Sequence, residues 1–245
     1  MEQRVALVTG VSRRIGIAHA VATRLHEQGY AVFATGWSPH DDEQPWGSDR
    51  ELTAPFPLHQ HDLELAHTPA QVIDEVVAAH GAIDVVAAVH ARSSDVDLAH
   101  TTADELDRCW AANVRSIVLL AQRFAEVRDP SRAGGRMLWF TSGQHLGAMP
   151  GTLPYSITKG ALQQMTASLA DALIDHGIAA NCINPGPVDT GYAPPDVHAA
   201  VARRFPTGRW GTPDDVANLV SFLVSDEGAW MVGQVLNSEG GFRRS

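Results

Sequence analysis

The chain has 245 residues, 44% of them hydrophobic, and a formal net charge of −10. It can bury a sizeable α/β core, and it presents no basic field for nucleic acid or an acidic membrane to meet. Its two cysteines, Cys109 and Cys182, lie in apolar segments without metal-ligand spacing, and the opening MEQRVALVTG enters an apolar run of only four residues, too short for a signal or membrane segment. A cytoplasmic protein is expected.

In chain order, VALVTG (5–10) reads as a buried strand, IAHAVATRLHEQ (17–28) as a helix closed by Gly29, and AVFAT (31–35) as a second strand. A crossover helix is due within 36–56, where Pro39, Pro45 and Pro55 argue against a long one. PLHQHDL (57–63) is a third strand, TPAQVIDEVVAAH a helix with a Thr68–Gln71 capping box, and DVVAAVH (84–90) a fourth strand. A long helix starts at Thr102, boxed with Glu105, and runs through NVRSIVLLAQRF. RMLWFTS (136–142) is a strand, followed by a helix, the strand IAANCINPG, a capped helix from Thr212 and a last strand in QVLNSEGG. Short apolar strands alternating with amphipathic helices imply a doubly wound, Rossmann-type α/β fold. The expectation is one domain over 1–245, with a single parallel sheet of about seven strands and helices on both faces.

Among 18 lysines and arginines, Lys159 is the only lysine, and Tyr155 precedes it by four positions. On a helix the two share a face, and a compact ammonium can draw a phenol's pKa from about 10 toward working pH, making it a proton donor. The first strand runs into TGVSRRIGIA and a helix, where backbone N–H groups and a helix N-terminus can meet a dinucleotide pyrophosphate.

These residues resemble the short-chain dehydrogenase/reductase family over essentially the whole chain. The family's TGxxxGxG is similar to Thr9, Gly10 and VSRRIGIA, and its tetrad matches Asn113 in NVRS, Ser142 in FTSGQ, and Tyr155 and Lys159 in YSITK. NPGPVDT (184–190) resembles the family's nicotinamide-clamping PGxxxT, and the tail from GRWGTPDD resembles 3-oxoacyl-carrier-protein reductases. The resemblance implies catalytic roles for Asn113, Ser142, Tyr155 and Lys159: tyrosine as general acid, serine polarising the carbonyl, asparagine holding a relay water. It implies cofactor contacts at Gly10, Ser12, Arg13, Arg14, Gly16, Ile17, Asp62, His90, Tyr155, Lys159, Pro185, Gly186, Val188 and Thr190. The implied activity is carbonyl–alcohol interconversion on a small molecule by hydride transfer; a cofactor-binding sensor without turnover, or an epimerase or dehydratase on the same fold, are the alternatives. A homotetramer is implied by the resemblance alone.

The chain departs from the family in two places. Its glycine loop is two residues longer, so that Gly16 stands for the central glycine and Ala18 for the third. Enoyl-carrier-protein reductases have a similar loop but space tyrosine and lysine more widely. Where the family has NNAG, this chain has Ala88, Val89, His90 and Ala91, which removes a buried hydrogen-bonding amide. Arg13 matches the arginine that pairs with a 2′-phosphate in relatives, and no acid ends the second strand, where the sequence is ATGWS, so NADP(H) is favoured over NAD(H). His59 and His61 lack a third and fourth ligand, so no metal is expected. His145 stands as a substrate contact or an exposed residue, and the loop from Ala193 to Arg209 is expected to cover the substrate.

Overall fold

The computed structural model describes residues 2–242; Met1 and residues 243–245, at the ends of the expected domain, lie outside the described residues. Seven strands form one parallel sheet in the order β3-β2-β1-β4-β5-β6-β7. They are β1 (Val5–Thr9), β2 (Ala31–Gly36), β3 (Leu58–Gln60), β4 (Val85–Ala88), β5 (Gly135–Phe140), β6 (Ile178–Asn184) and β7 (Val235–Asn237). Every residue of β1, β4, β5 and β6 is buried, which is why these segments read as continuous apolar runs rather than alternating ones.

Helices cover both faces. The face holding α3 (Thr68–His80), α5 (Ser116–Val127) and α6 (Leu153–Ile174) buries Ile73, Val76, Leu120, Phe124 and Leu162 against Leu7, Val86 and Trp139. The other, with α1 (Ile17–Glu27) and α8 (Pro213–Val224), buries Val21, Leu25, Val216 and Val220 against Ala6, Val8 and Leu138. The order reverses at β1 and β4, so their C-terminal ends splay apart into the crevice where this topology places ligands.

The caps divide instructively. Thr212 and Asp215 form a reciprocal capping box on α8, and Thr102 accepts from the Glu105 N–H to start α4 (Ala103–Trp110). The expected Thr68–Gln71 box is absent: Thr68 is buried as the first residue of α3 and His67 occupies the cap, so the threonine is spent on packing. The long helix from Thr102 is interrupted by a five-residue π turn, Ala111–Arg115. The proline-broken segment after β2 yields only the short α2 (Ser38–Asp42), and 193–209 contains a helix, α7 (Pro195–Ala202).

Candidate active site

A cleft of about 480 Å3 runs across the C-terminal ends of β1, β2, β4, β5 and β6. Of the residues expected to meet a cofactor, Gly10, Ser12, Arg13, Gly16, Ile17, Asp62, His90, Tyr155, Lys159, Pro185, Gly186, Val188 and Thr190 all line it, as does Ser142. Three expectations fall outside. Arg14 turns away and bonds Asp49 (2.9 Å) and Glu51 (3.1 Å). Asn113 sits behind the wall, and His145 is exposed on the turn Gly143–His145.

The floor of the cleft is built from backbones that approach too closely for side chains. A Cβ added at Gly10 would stand 2.7 Å from the His90 backbone nitrogen, and one at Gly36 would stand 2.3 Å from the Val11 carbonyl oxygen. Gly16, at the α1 N-cap, brings no side chain to bond the first-turn N–H groups, which leaves them available to an anion. A dinucleotide pyrophosphate fits this cradle, and Asp62, which accepts the Glu64 N–H at 2.9 Å, holds the β3 end beside it.

Lys159 is buried on α6, and its ammonium donates to the Phe140 carbonyl at 2.7 Å. Burial pushes its pKa down to about 8. The remaining ammonium hydrogens suit ribose hydroxyls. One turn earlier, the pKa of the Tyr155 phenol is raised, first by burial and further by the Asp95 carboxylate, against the lowering effect of Ser142. The shift is opposite to that expected from a neighbouring lysine: burial dominates, and the ammonium gives its hydrogen bond to Phe140 on the strand. Gln144 braces Ser142, its side-chain oxygen accepting the Ser142 N–H at 3.2 Å and its amide bonding Gln163 at 2.7 Å.

Asn113 lies within the π turn, where its amide clasps the loop after β4. Its Oδ1 accepts the Arg92 N–H (2.7 Å), and its Nδ2 donates to the Arg92 carbonyl (3.1 Å) and to Thr158 Oγ1 (2.9 Å). Both amide hydrogens are therefore spent on holding the wall, where a relay water was expected. The missing NNAG amide is also replaced. His90 Nδ1 lies 2.6 Å from Thr9 Oγ1, and Nε2 lies 3.0 Å from the Ala112 carbonyl and 2.8 Å from Ser116 Oγ. A proton on Nε2 donates to Ala112 while Nδ1 accepts from Thr9, so the neutral ring straps the end of β1 to the π turn. Burial, with Lys159 nearby, pushes the His90 pKa down to about 3 and keeps it neutral.

Several cleft residues carried no signal in the sequence, among them Trp37, His40, Trp46 and Glu239. Glu239 accepts from Asn184 Nδ2 at 2.9 Å, closing the β6 end under Gly186. His59 stacks on Phe33 at 3.9 Å and His61 pairs with Glu75 at 3.1 Å; no cluster able to hold a metal occurs among the described residues.

The family model described as enoyl-(acyl carrier protein) reductase matches residues 10–243. An uncharacterized oxidoreductase, YjdA, of Bacillus subtilis is 34% identical, with 99% of this chain and 98% of that protein covered. This chain belongs to the short-chain dehydrogenase/reductases. An Arabidopsis thaliana relative named as an NADPH-dependent aldehyde reductase-like protein is 30% identical across 98% of this chain and 94% of its own length. A short-chain dehydrogenase/reductase from Serratia marcescens superposes with a TM-score of 0.84 at 26% identity, covering 98% of both chains. The chain is thus an NAD(P)-dependent oxidoreductase.

Proposed function

We propose that this enzyme reduces the carbonyl of a small ketone or aldehyde to the alcohol, with NADP(H) preferred. The observation that carries the reading is that Ser142 and Tyr155 line the same cleft, with Tyr155 one helical turn from buried Lys159. A carbonyl oxygen between the serine hydroxyl and the phenol is polarised by both. A nicotinamide cofactor held along this cleft, its pyrophosphate at the α1 N-terminus, would supply the hydride for the carbonyl carbon. Tyr155 passes its phenolic proton to the oxygen as negative charge develops there, and a phenol whose pKa is raised holds that proton until it is needed. Lys159 holds positive charge beside the Tyr155 ring and has ammonium hydrogens that would suit a cofactor ribose.

NADP(H) is supported by Arg13 in the cleft wall, by the sequence ATGWS at the end of β2, which carries no acid, and by the name of the Arabidopsis relative. A homo-oligomer is supported by exposed apolar residues on three neighbouring helices: Trp110 on α4, Val118 on α5 and Ile157 on α6. A cytoplasmic location accords with two unpaired cysteines; no described helix is long and apolar enough to cross a membrane. The chain reads as one catalytic domain. A sensor without turnover would need the phosphate cradle but not the Ser142–Tyr155 pair. The test is a panel of aldehydes and ketones, followed at the nicotinamide absorbance band with NADPH and with NADH. Turnover with NADPH exceeding that with NADH is expected; no turnover of any carbonyl by folded enzyme would refute the reading.

A further inference from the structure

The segment between β2 and β3 has little regular structure, yet it is fastened at both ends of its course over the cleft. Glu43 bonds Arg92 (3.2 Å) and Arg108 (3.5 Å), while Asp49 and Glu51 take Arg14. Between these anchors Trp46 reaches the cleft wall, and its indole N–H donates to Asp41 Oδ1 at 3.0 Å. Asp41 is only 6% exposed, so the indole N–H is anchored to a buried carboxylate. The Arg13 guanidinium carbon lies 5.5 Å from the centre of that ring.

The two adjacent arginines thus have different fates. Arg14 is neutralised by carboxylates of this segment, and Arg13, with no ion pair among the described residues, lies on the indole. A guanidinium held over a ring without an ion pair keeps N–H groups free, and these are what a phosphate dianion takes in a two-point contact. A free arginine must lose rotamer freedom when it captures a phosphate; one already held on a ring loses less. Of the acids of this segment, Glu43, Asp49 and Glu51 are drawn off by Arg14, Arg92 and Arg108, and Asp41 accepts from the Trp46 indole.

We infer that Trp46 is a positioning residue for cofactor choice, holding Arg13 so that a dinucleotide carrying a 2′-phosphate binds better than one with a free ribose hydroxyl. This rests on the NADP(H) reading above. It assigns a role to the proline-broken segment that the sequence left without one.

Equilibrium dissociation constants for NADPH and NADH, by titration calorimetry, test it in wild type, Trp46→Ala, Trp46→Phe, Arg13→Ala and the Trp46→Ala/Arg13→Ala double variant, with folding checked by circular dichroism. Trp46→Ala should weaken NADPH binding about 5-fold and leave NADH within about twofold, the scale of one partly exposed cation–π contact. Trp46→Phe should restore most of the loss, and in the Arg13→Ala background Trp46→Ala should no longer discriminate between cofactors. Equal weakening of both cofactors by Trp46→Ala, or no effect on either, overturns the inference while leaving the NADP(H) reading intact if Arg13→Ala still discriminates. If Arg13→Ala itself weakens both equally, the 2′-phosphate assignment falls and this inference with it.

Discussion

The Lys159 ammonium lies 5.4 Å from the centre of the Tyr155 ring and gives its hydrogen bond to the Phe140 carbonyl, so lysine and tyrosine are coupled across the ring face and not through a direct bond. The carbonyl at the end of β5 sets where the charge sits. Lysine can act on the phenol only while it remains protonated, and burial has brought its pKa from 10.5 to about 8.

A pH profile follows from this. For carbonyl reduction, kcat/KM should be level near neutrality and fall as pH rises through about 8, where Lys159 loses its proton in the free enzyme. The phenol, with its pKa raised above 10, remains protonated over that range and contributes no limb there. A profile that stays level to pH 10 would show that the lysine charge is not used.

His90 predicts a stability change on the acid side. Its folded pKa of about 3 lies below the ordinary 6.5, so between those values the unfolded chain binds a proton that the native state excludes. Stability is therefore complete above about pH 6.5 and lost as pH falls, by about 2 kcal/mol between pH 7 and 5 for this group. His90→Gln, which keeps a donor and an acceptor but does not titrate, should flatten the dependence of Tm on pH over that interval. An unchanged slope would show that His90 is not what couples folding to protons.

The close approach at Gly36 can be tested by one methyl group. Gly36→Ala places a Cβ about 2.3 Å from the Val11 carbonyl, backbone on backbone, so β2 and the glycine loop must separate. The expected cost is about 1–3 kcal/mol of stability, with a larger proportional loss of cofactor affinity, because the displaced loop is the phosphate cradle. Thermal unfolding with and without NADPH reads both, and a variant with wild-type Tm and affinity would refute the account of the floor.

How much of this was legible beforehand divides by the range of the interactions. The seven parallel strands, the capped helix from Thr212, and Tyr155 and Lys159 on one helix depend on patterns along the chain, and each appears where the sequence places it. The Thr68–Gln71 box has the same local signature as the α8 one and fails, because burying Thr68 within α3 outweighs a cap that water could replace. Asn113, His90 and Trp46 act through partners 21, 81 and 33 positions away, Arg92, Thr9 and Arg13, and no local pattern announces such contacts. The loss of the NNAG amide was visible, whereas its replacement two positions later required the fold.

The measurement that bears most directly on the account is steady-state kinetics of Tyr155→Phe, Lys159→Arg and the double variant on a carbonyl the wild type reduces. Each single change should lower kcat by roughly 100-fold or more, since phenylalanine has no proton to give and a planar guanidinium cannot take the ammonium's place beside Phe140. The double variant should lose far less than the product of the two, because both residues serve one proton transfer. A folded Lys159→Arg enzyme with near-normal kcat, or losses that multiply in the double variant, would contradict the claim that tyrosine and lysine work as a unit.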